Sequence, residues 1–187
     1  MSTENRRRAA MLYYATRDGQ SRRIAEYISR RLAESGIAAT PQDLAVTPVS
    51  ATELEQASAI VLVAAVRYGH HLAEAERFMA TYGSLQSPPP LALASVNLTA
   101  RKPAKATAAG NGYLRKSIAR HRLAPAVAVA FAGRLDYPSY GFLDRQIIRF
   151  IMLLTGGPTD PRTCVEYTSW PAVDEFADQI AELAPRS

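Results

Sequence analysis

Thr16-Arg17-Asp18-Gly19-Gln20-Ser21 has the residue types and spacing of an anion cradle. It follows the apolar run from Ala9 to Ala15 and precedes a segment of helical pattern. A buried strand that turns through hydroxyls and a glycine into a helix start aims successive backbone N–H groups at one point, where the helix dipole also favours negative charge. The Thr and Ser hydroxyls add donors there, and a phosphate is the anion this arrangement suits. Neither Gly-x-x-x-x-Gly-Lys-Ser/Thr nor Gly-x-Gly-x-x-Gly occurs, so the nucleoside-triphosphatase loop and the dinucleotide fingerprint are both excluded. The same six residues also suit a plain capped turn with Ser21 or Thr16 as N-cap. The rest of the chain has to decide between the two.

Strand and helix patterns alternate along it. Ala9 to Ala15 reads as a strand buried on both faces. From Ser21 to Ser35, Ile24, Tyr27, Ile28 and Leu32 recur at helical spacing, and Gly36 stops the helix. Ile37 to Leu44 is a short strand and Val49 to Ser58 a short polar helix. Ala59 to Val66 is the strongest strand, His71 to Tyr82 is a helix closed by Gly83, and Pro90 to Asn97 is a strand after a triple proline. Ala106 to Arg122 is a basic helix or loop plus helix, Ala126 to Phe131 the fifth strand, and Trp170 to Leu183 an amphipathic terminal helix. Five apolar strands alternating with helices predict an α/β fold, a doubly wound parallel sheet covered on both faces. Ligands of such sheets lie at the carboxyl ends of the strands, at the topological switch point. The residues to read are therefore Thr16 to Ser21, Arg67 to His70, Ser95 to Lys102 and Gly133 to Leu135.

Charge and composition narrow the classes. The net charge is +5, but residues 101–162 alone hold eleven Lys/Arg against three Asp/Glu. Such a concentration points to an anionic partner there: a carboxylate-bearing substrate, an acidic membrane surface or a nucleic acid. The single cysteine, Cys164, excludes an internal disulfide and a cysteine-based metal cluster, and no metal site is read from the sequence. One cysteine fits a reducing cytosol. Residues 1–8, with Arg6-Arg7-Arg8, read as a basic tail rather than a leader. No stretch approaches the ~20 apolar residues that span a bilayer. One segment stands apart. From Phe142 to Leu154 apolar residues cover most of a helix circumference, with Arg145 and Arg149 four residues apart on one face and Gly156-Gly157 at the end. That helix suits an interface, the wall of an apolar pocket, or packing on its own domain.

The Thr16-x-x-Gly19-x-Ser21 spacing resembles the FMN-phosphate loop of flavodoxins. Longer strings are more specific: Arg67-Tyr-Gly-His70, Ser95-Val-Asn-Leu98 with Ala100-Arg-Lys-Pro103, and Tyr137-Pro-Ser-Tyr140 through Asp144-Arg145 to Gly156-Gly-Pro-Thr-Asp160. With the loop, they resemble the bacterial quinone-dependent protoporphyrinogen oxidases of the flavodoxin superfamily, from about Met11 to the terminal helix. Ser21 stands where that family often has Thr, and the arginine-rich extension is additional. The resemblance implies a flavodoxin-like five-stranded parallel sheet over one domain, 1–187. A helical insertion at 135–163 splits or follows the last strand, with Val165-Glu166-Tyr167 as the second half of that strand. It implies FMN, held by Thr16, Arg17, Asp18, Gly19, Gln20 and Ser21 at the phosphate, by Val66, Arg67, Tyr68 and Gly69 beside the ring, and by Asn97, Leu98 and Thr99 opposite.

The implied reaction is oxidation of protoporphyrinogen IX to protoporphyrin IX, with electrons passed to a membrane quinone, menaquinone or ubiquinone. The implied place is the cytoplasm, peripherally at the inner face of the cell membrane. Tyr68 would orient the ring. His70 is the best-placed proton acceptor, because imidazole titrates near working pH, although it also suits a simple helix entry. Arg101, Lys102, Lys105, Arg134, Arg145 and Arg149 flank the apolar helix and could pair with the two propionates, and Arg145 is also, with His70 and Tyr68, a candidate catalytic residue. Three other readings remain. A carrier flavodoxin is usually acidic, unlike this chain. A flavodoxin-like NAD(P)H:quinone reductase needs a nicotinamide to reduce the flavin. A membrane or nucleic-acid binding module leaves the strand-end loops unexplained, so no nucleic acid is expected.

Overall fold

The computed structural model describes residues 9–184. The basic tail 1–8 lies outside them. At the centre runs β3 (Ala59–Arg67), whose uninterrupted apolar residues suit a strand covered on both faces. β1 (Ala10–Ala15) pairs with it in parallel, Ala10 against Ala59 through Ala15 against Ala64. On its other edge lies β5 (Leu91–Val96), in register from Ile60–Leu91 to Ala65–Val96. β2 (Pro41–Asp43) and β6 (Val127–Phe131) add the outer parallel strands, giving the order β2-β1-β3-β5-β6. The expected five parallel strands are present. The order reverses between β1 and β3, which opens a crevice at their carboxyl ends.

Period-two alternation sends each strand's side chains to two cores. Leu12, Tyr14, Val61 and Val63 pack against Ile24, Ile28 and Leu32 of α1 (Gln20–Glu34) and Phe176 and Ile180 of α6 (Trp170–Leu183). Tyr13, Ile60, Leu62 and Leu93 pack on the other face. Their partners are Leu54 of α2 (Ala51–Glu55), Phe78 and Met79 of α3 (Ala73–Gly83), and Leu114 of α4 (Gly112–Arg120).

Several boundaries differ from the sequence expectation. The strand expected over Ile37–Leu44 is regular only at Pro41–Asp43, because as an edge strand it has β1 alone to pair with. His71 does not begin a helix. His70–His71 form a short strand, β4, that folds back antiparallel on the end of β3, Val66 facing His71 and Arg67 facing His70. The basic segment 106–122 is a loop followed by α4, whose start is capped by the Asn111 side chain accepting from Leu114 N–H.

The expected second half of the last strand is a separate element. β8 (Cys164–Glu166) pairs antiparallel with β7 (Arg134–Asp136) in a two-stranded ribbon outside the main sheet. The ribbon is rooted at the end of β6, where Tyr167 N–H bonds Gly133 O and the Thr168 hydroxyl bonds Ala132 O. From it projects α5 (Phe142–Thr155), the predicted insertion helix, stopped at Gly156 with φ 71°. Among the described residues no helix is long and apolar enough to cross a membrane.

At the end of α3 the chain passes so close to its neighbour that a Cβ on Gly83 would overlap the backbone carbonyl of His121. A backbone atom cannot swing aside as a side chain does. Gly83→Ala therefore lowers stability by about 1–3 kcal/mol. The check is a lower urea midpoint at unchanged slope.

Candidate functional site

The crevice at the switch point is lined first by the loop after β1. Thr16 Oγ accepts from Gly19 N–H at 3.0 Å, which folds the loop back on itself. Gly19, with φ 83°, is the N-cap of α1 and offers no capping side chain, and the first turn holds no acidic residue. The N–H groups of that turn are therefore left for an outside acceptor. Ser21 Oγ is buried with no hydrogen-bond partner. A buried hydroxyl without a partner is costly, and a phosphate at the helix start supplies the acceptor it lacks. The cradle thus fits a phosphate better than a capped turn. The Gln20 side chain contributes little to it, because its amide nitrogen bonds Glu166 and Thr168 and its oxygen accepts from Arg23. Arg17 is exposed and does not line the crevice.

The loop after β3 forms a second wall. Tyr68 has φ 50° and the following Gly69 φ 85°. A tyrosine in the left-handed region is strained, and a side chain at Gly69 would extend that strain. This tight turn projects the Tyr68 ring, 54% exposed, beside the crevice mouth. The Arg67 guanidinium lies between the rings of Tyr68 and Tyr140, 5.4 and 5.5 Å from their centroids. Its Nη1 donates to Asp18 at 2.7 Å and its Nη2 to Asp144 of α5. The Tyr68 hydroxyl also donates to Asp144. The Tyr68 hydrogen bond and the Arg67 charge together hold the Asp144 carboxyl below its usual range.

The third wall follows β5. Asn97 is buried, but its side chain is spent inward: the amide donates to Ser95, and the oxygen accepts from Thr99 and Asn111. Asn97, Leu98 and Thr99 line the crevice as expected from the sequence, together with Val66, Arg67, Tyr68 and Gly69. Beneath them lies His71, 4% exposed, bonded through its two ring nitrogens to Ser95 and Ser117 at 2.9 Å each. The crevice holds about 840 Å³ of space when the solvent in its open mouth is counted.

The fourth wall is one of the three roles the sequence leaves open for the apolar helix, and Gly133 is among the strand-end residues; Tyr113 is not foreseen there. Ile148 and Ile151 of α5, Tyr140 before it, Tyr113 of α4 and Gly133 after β6 all face the crevice. Of the basic candidates, only Arg134 lines it, paired there with Asp136 and Cys164. Arg101 donates to the carbonyls of Leu98 and Thr155, Arg145 to those of Tyr137 and Tyr140, and Arg149 to that of Thr159. These three guanidinium groups brace the insertion from within. Lys102 is exposed and outside the crevice lining. His70 is also outside: it borders a separate shallow depression with Glu76, Lys116 and Arg120. The return of β4 along β3 carries it there, so the geometry does not support its role as proton acceptor. Among the described residues no group of three or more His, Cys, Asp or Glu is placed to hold a metal.

Burial pushes the His71 imidazole down to about 4, against the pull of Glu76, with His121, Arg120 and His70 also facing it. Between about pH 6.5 and 4 the unfolded chain takes up a proton there that the folded protein refuses, so stability falls as pH falls. The site's share is roughly 3 kcal/mol. Denaturant melts at pH 7 and pH 4.5 test this: His71→Asn loses less stability on acidification than the parent, although it starts lower.

Comparison with known proteins supplies the remaining constraint. Residues 11–162 match the family model described as a flavodoxin domain. Protoporphyrinogen IX dehydrogenase (quinone) of Escherichia coli K12 is 38% identical over 176 residues, covering 94% of this chain and 96% of that one. The protein of the same name from Leishmania major is 38% identical over 174 residues, 92% of this chain and 74% of that one. Oxidised flavodoxin 1 from Bacillus cereus superposes with a TM-score of 0.55 at 14% identity, covering 93% of this chain and 97% of that one, which speaks to the fold alone. Sheet order, switch-point crevice and phosphate cradle agree with these matches, so FMN is the cofactor of the crevice and the chain belongs to the flavodoxin family.

Proposed function

We propose that this protein is an oxidoreductase that converts protoporphyrinogen IX to protoporphyrin IX and passes the electrons to a quinone. When bound, FMN supplies the two-electron chemistry. The substrate loses six electrons, so three pairs leave in turn, each taken up by one quinone. The observation that carries the reading is the α5 wall: Ile148 and Ile151 turn one side of a flavin crevice apolar, as a macrocycle requires. The full-length identity to named relatives supports the same substrate and acceptor.

The chain's own residues would divide the work as follows. The α1 N-terminus, Thr16 and Ser21 hold the phosphate. Tyr68 would lie against the ring, and the backbone of Asn97–Thr99 would meet it from across the crevice, which both line. Arg134, at the wall, is positioned to meet a propionate, with Lys102 exposed further out. Water is kept from the reacting centre by the isoleucines of α5 and by Tyr140. Beyond the crevice, α5 exposes Phe142, Leu143, Phe150, Leu153 and Leu154, from 61% to 73% each. An apolar helix face of this size, in a protein that also exposes Lys102 and Lys105, suits the surface of an anionic bilayer, where menaquinone or ubiquinone is met at the inner membrane.

Two measurements test this. Anaerobic protoporphyrinogen IX bleaches the bound flavin, and a menaquinone analogue restores it with porphyrin fluorescence. Bleaching by NAD(P)H and none by the porphyrinogen would establish the quinone reductase instead. In the same assay His70→Ala keeps turnover within about twofold, since it lies outside the crevice. Separately, Ser21→Ala weakens FMN binding about tenfold or more in a titration, the loss expected for one hydrogen bond to a charged group.

A further inference from the structure

The insertion carries one acidic residue in the first turn of α5, Asp144. Its two oxygens are used differently: one accepts from the Tyr68 hydroxyl, the other from Arg67 Nη2. The same Arg67 reaches back to Asp18 in the phosphate loop. Phosphate loop, β3 turn and insertion helix are thus joined by one line of charge-assisted hydrogen bonds. The Arg67 side chain is 13% exposed, held between two aromatic rings, so the middle of the line is well shielded from solvent. Tyr68, by contrast, is more than half exposed on a strained turn. Its hydroxyl donates to Asp144 and also lies within reach of the Arg67 guanidinium.

We propose that Asp144 is a positioning residue: by pinning Tyr68 and Arg67 it makes FMN binding and the seating of α5 over the crevice stabilise each other. The physical cause is the cost of ordering Tyr68. A ring fixed by Asp144 meets the flavin without further loss of freedom, and a ring fixed by the flavin presents its hydroxyl to Asp144. Whichever event comes first lowers the cost of the second. Linkage makes the effect reciprocal: the factor by which a seated α5 tightens FMN is the factor by which FMN steadies α5. The coupling rests on FMN occupying this crevice and is independent of which substrate is oxidised.

The test uses the full chain, freed of flavin and then titrated with FMN. Asp144→Asn weakens FMN binding about fivefold or more. Fluorescence of the bound flavin rises in that variant, because a loosened tyrosine quenches it less. Tyr68→Phe removes the phenol that quenches, and so sets the upper limit against which the rise in Asp144→Asn is read. In the parent, FMN slows tryptic cleavage at Arg145 and Arg149 several-fold, and in Asp144→Asn this protection is largely lost. Arg149→Gln, which loosens the insertion without touching Tyr68, leaves the bound-flavin fluorescence at the parent level. The proposal is overturned if Asp144→Asn binds FMN with the parent affinity and fluorescence and keeps the protection. A rise in fluorescence with Arg149→Gln equal to that with Asp144→Asn also overturns it, since any loosening of the insertion would then suffice. Failure of the parent itself to bind FMN would instead sink the cofactor assignment, and the coupling with it.

Discussion

β3 is hydrogen-bonded along both edges and covered on both faces, and the rest of the molecule is arranged around that burial. A strand with no exposed edge or face must be apolar at every position, so Ala59 to Ala64 can hold neither charge nor catalyst. Polar function is confined to where the strand leaves the sheet. Because β1 and β5 lie on opposite sides and run in the same direction, their connections depart to opposite faces at the same end. The gap between those departures is the crevice. Arg67 and Tyr68 are the first polar residues after the buried run, and both line the crevice.

A second requirement is that the polar groups under the site be satisfied without water. Ser95, Asn97, Asn111 and Ser117 are all buried, and His71 joins two of them. The network uses the Asn97 side-chain oxygen and one of its two amide hydrogens, and leaves the backbone of the following turn as a surface offered to a ligand. In a low-dielectric interior a fully paired network of this kind holds one arrangement. It therefore fixes the wall opposite Tyr68 at the expense of making His71 a structural rather than a titrating residue near neutral pH.

The insertion solves the opposite problem. It is outside the main sheet, and its own apolar cluster is small: Leu135, Tyr137, Tyr140 and Met152. A cluster of that size stabilises little, and the insertion is held by charge as well. Arg101, Arg145 and Arg149 donate to carbonyls of the insertion and the loops around it, and Asp144 ties its first turn to β3. The density of arginine between residues 101 and 162 has this as one of its causes. Part of the positive charge that signals an anionic partner is spent on backbone carbonyls, and Arg134 is already paired with Asp136, which leaves the exposed lysines as the least engaged cations of the segment.

Much of the fold was legible in the residues. The five apolar runs, the helical spacing from Ile24 to Leu32, the terminal helix from Trp170 to Leu183 and the helix from Phe142 are local patterns, and local patterns survive folding. So was the phosphate loop, because strand, hydroxyl, glycine and helix start are adjacent in the chain. What depended on residues far apart was not legible. One local feature was missed as well, because a strand of two residues is too short to show a period: His70 pairs with Arg67, three residues before it, and so leaves the crevice. The ribbon of Arg134–Asp136 with Cys164–Glu166 joins segments separated by the whole insertion. Whether an arginine meets a substrate or a carbonyl depends on which loop folds against it, and its own neighbours in sequence carry no sign of that. The sequence by itself determined the five parallel strands and the main helices, since these follow from periodicity within a few residues, and it offered the cradle with a capped turn as its rival. Only the tertiary structure decided which side chains share the crevice, because that is set by the register of distant segments and by the pairing of charges across them.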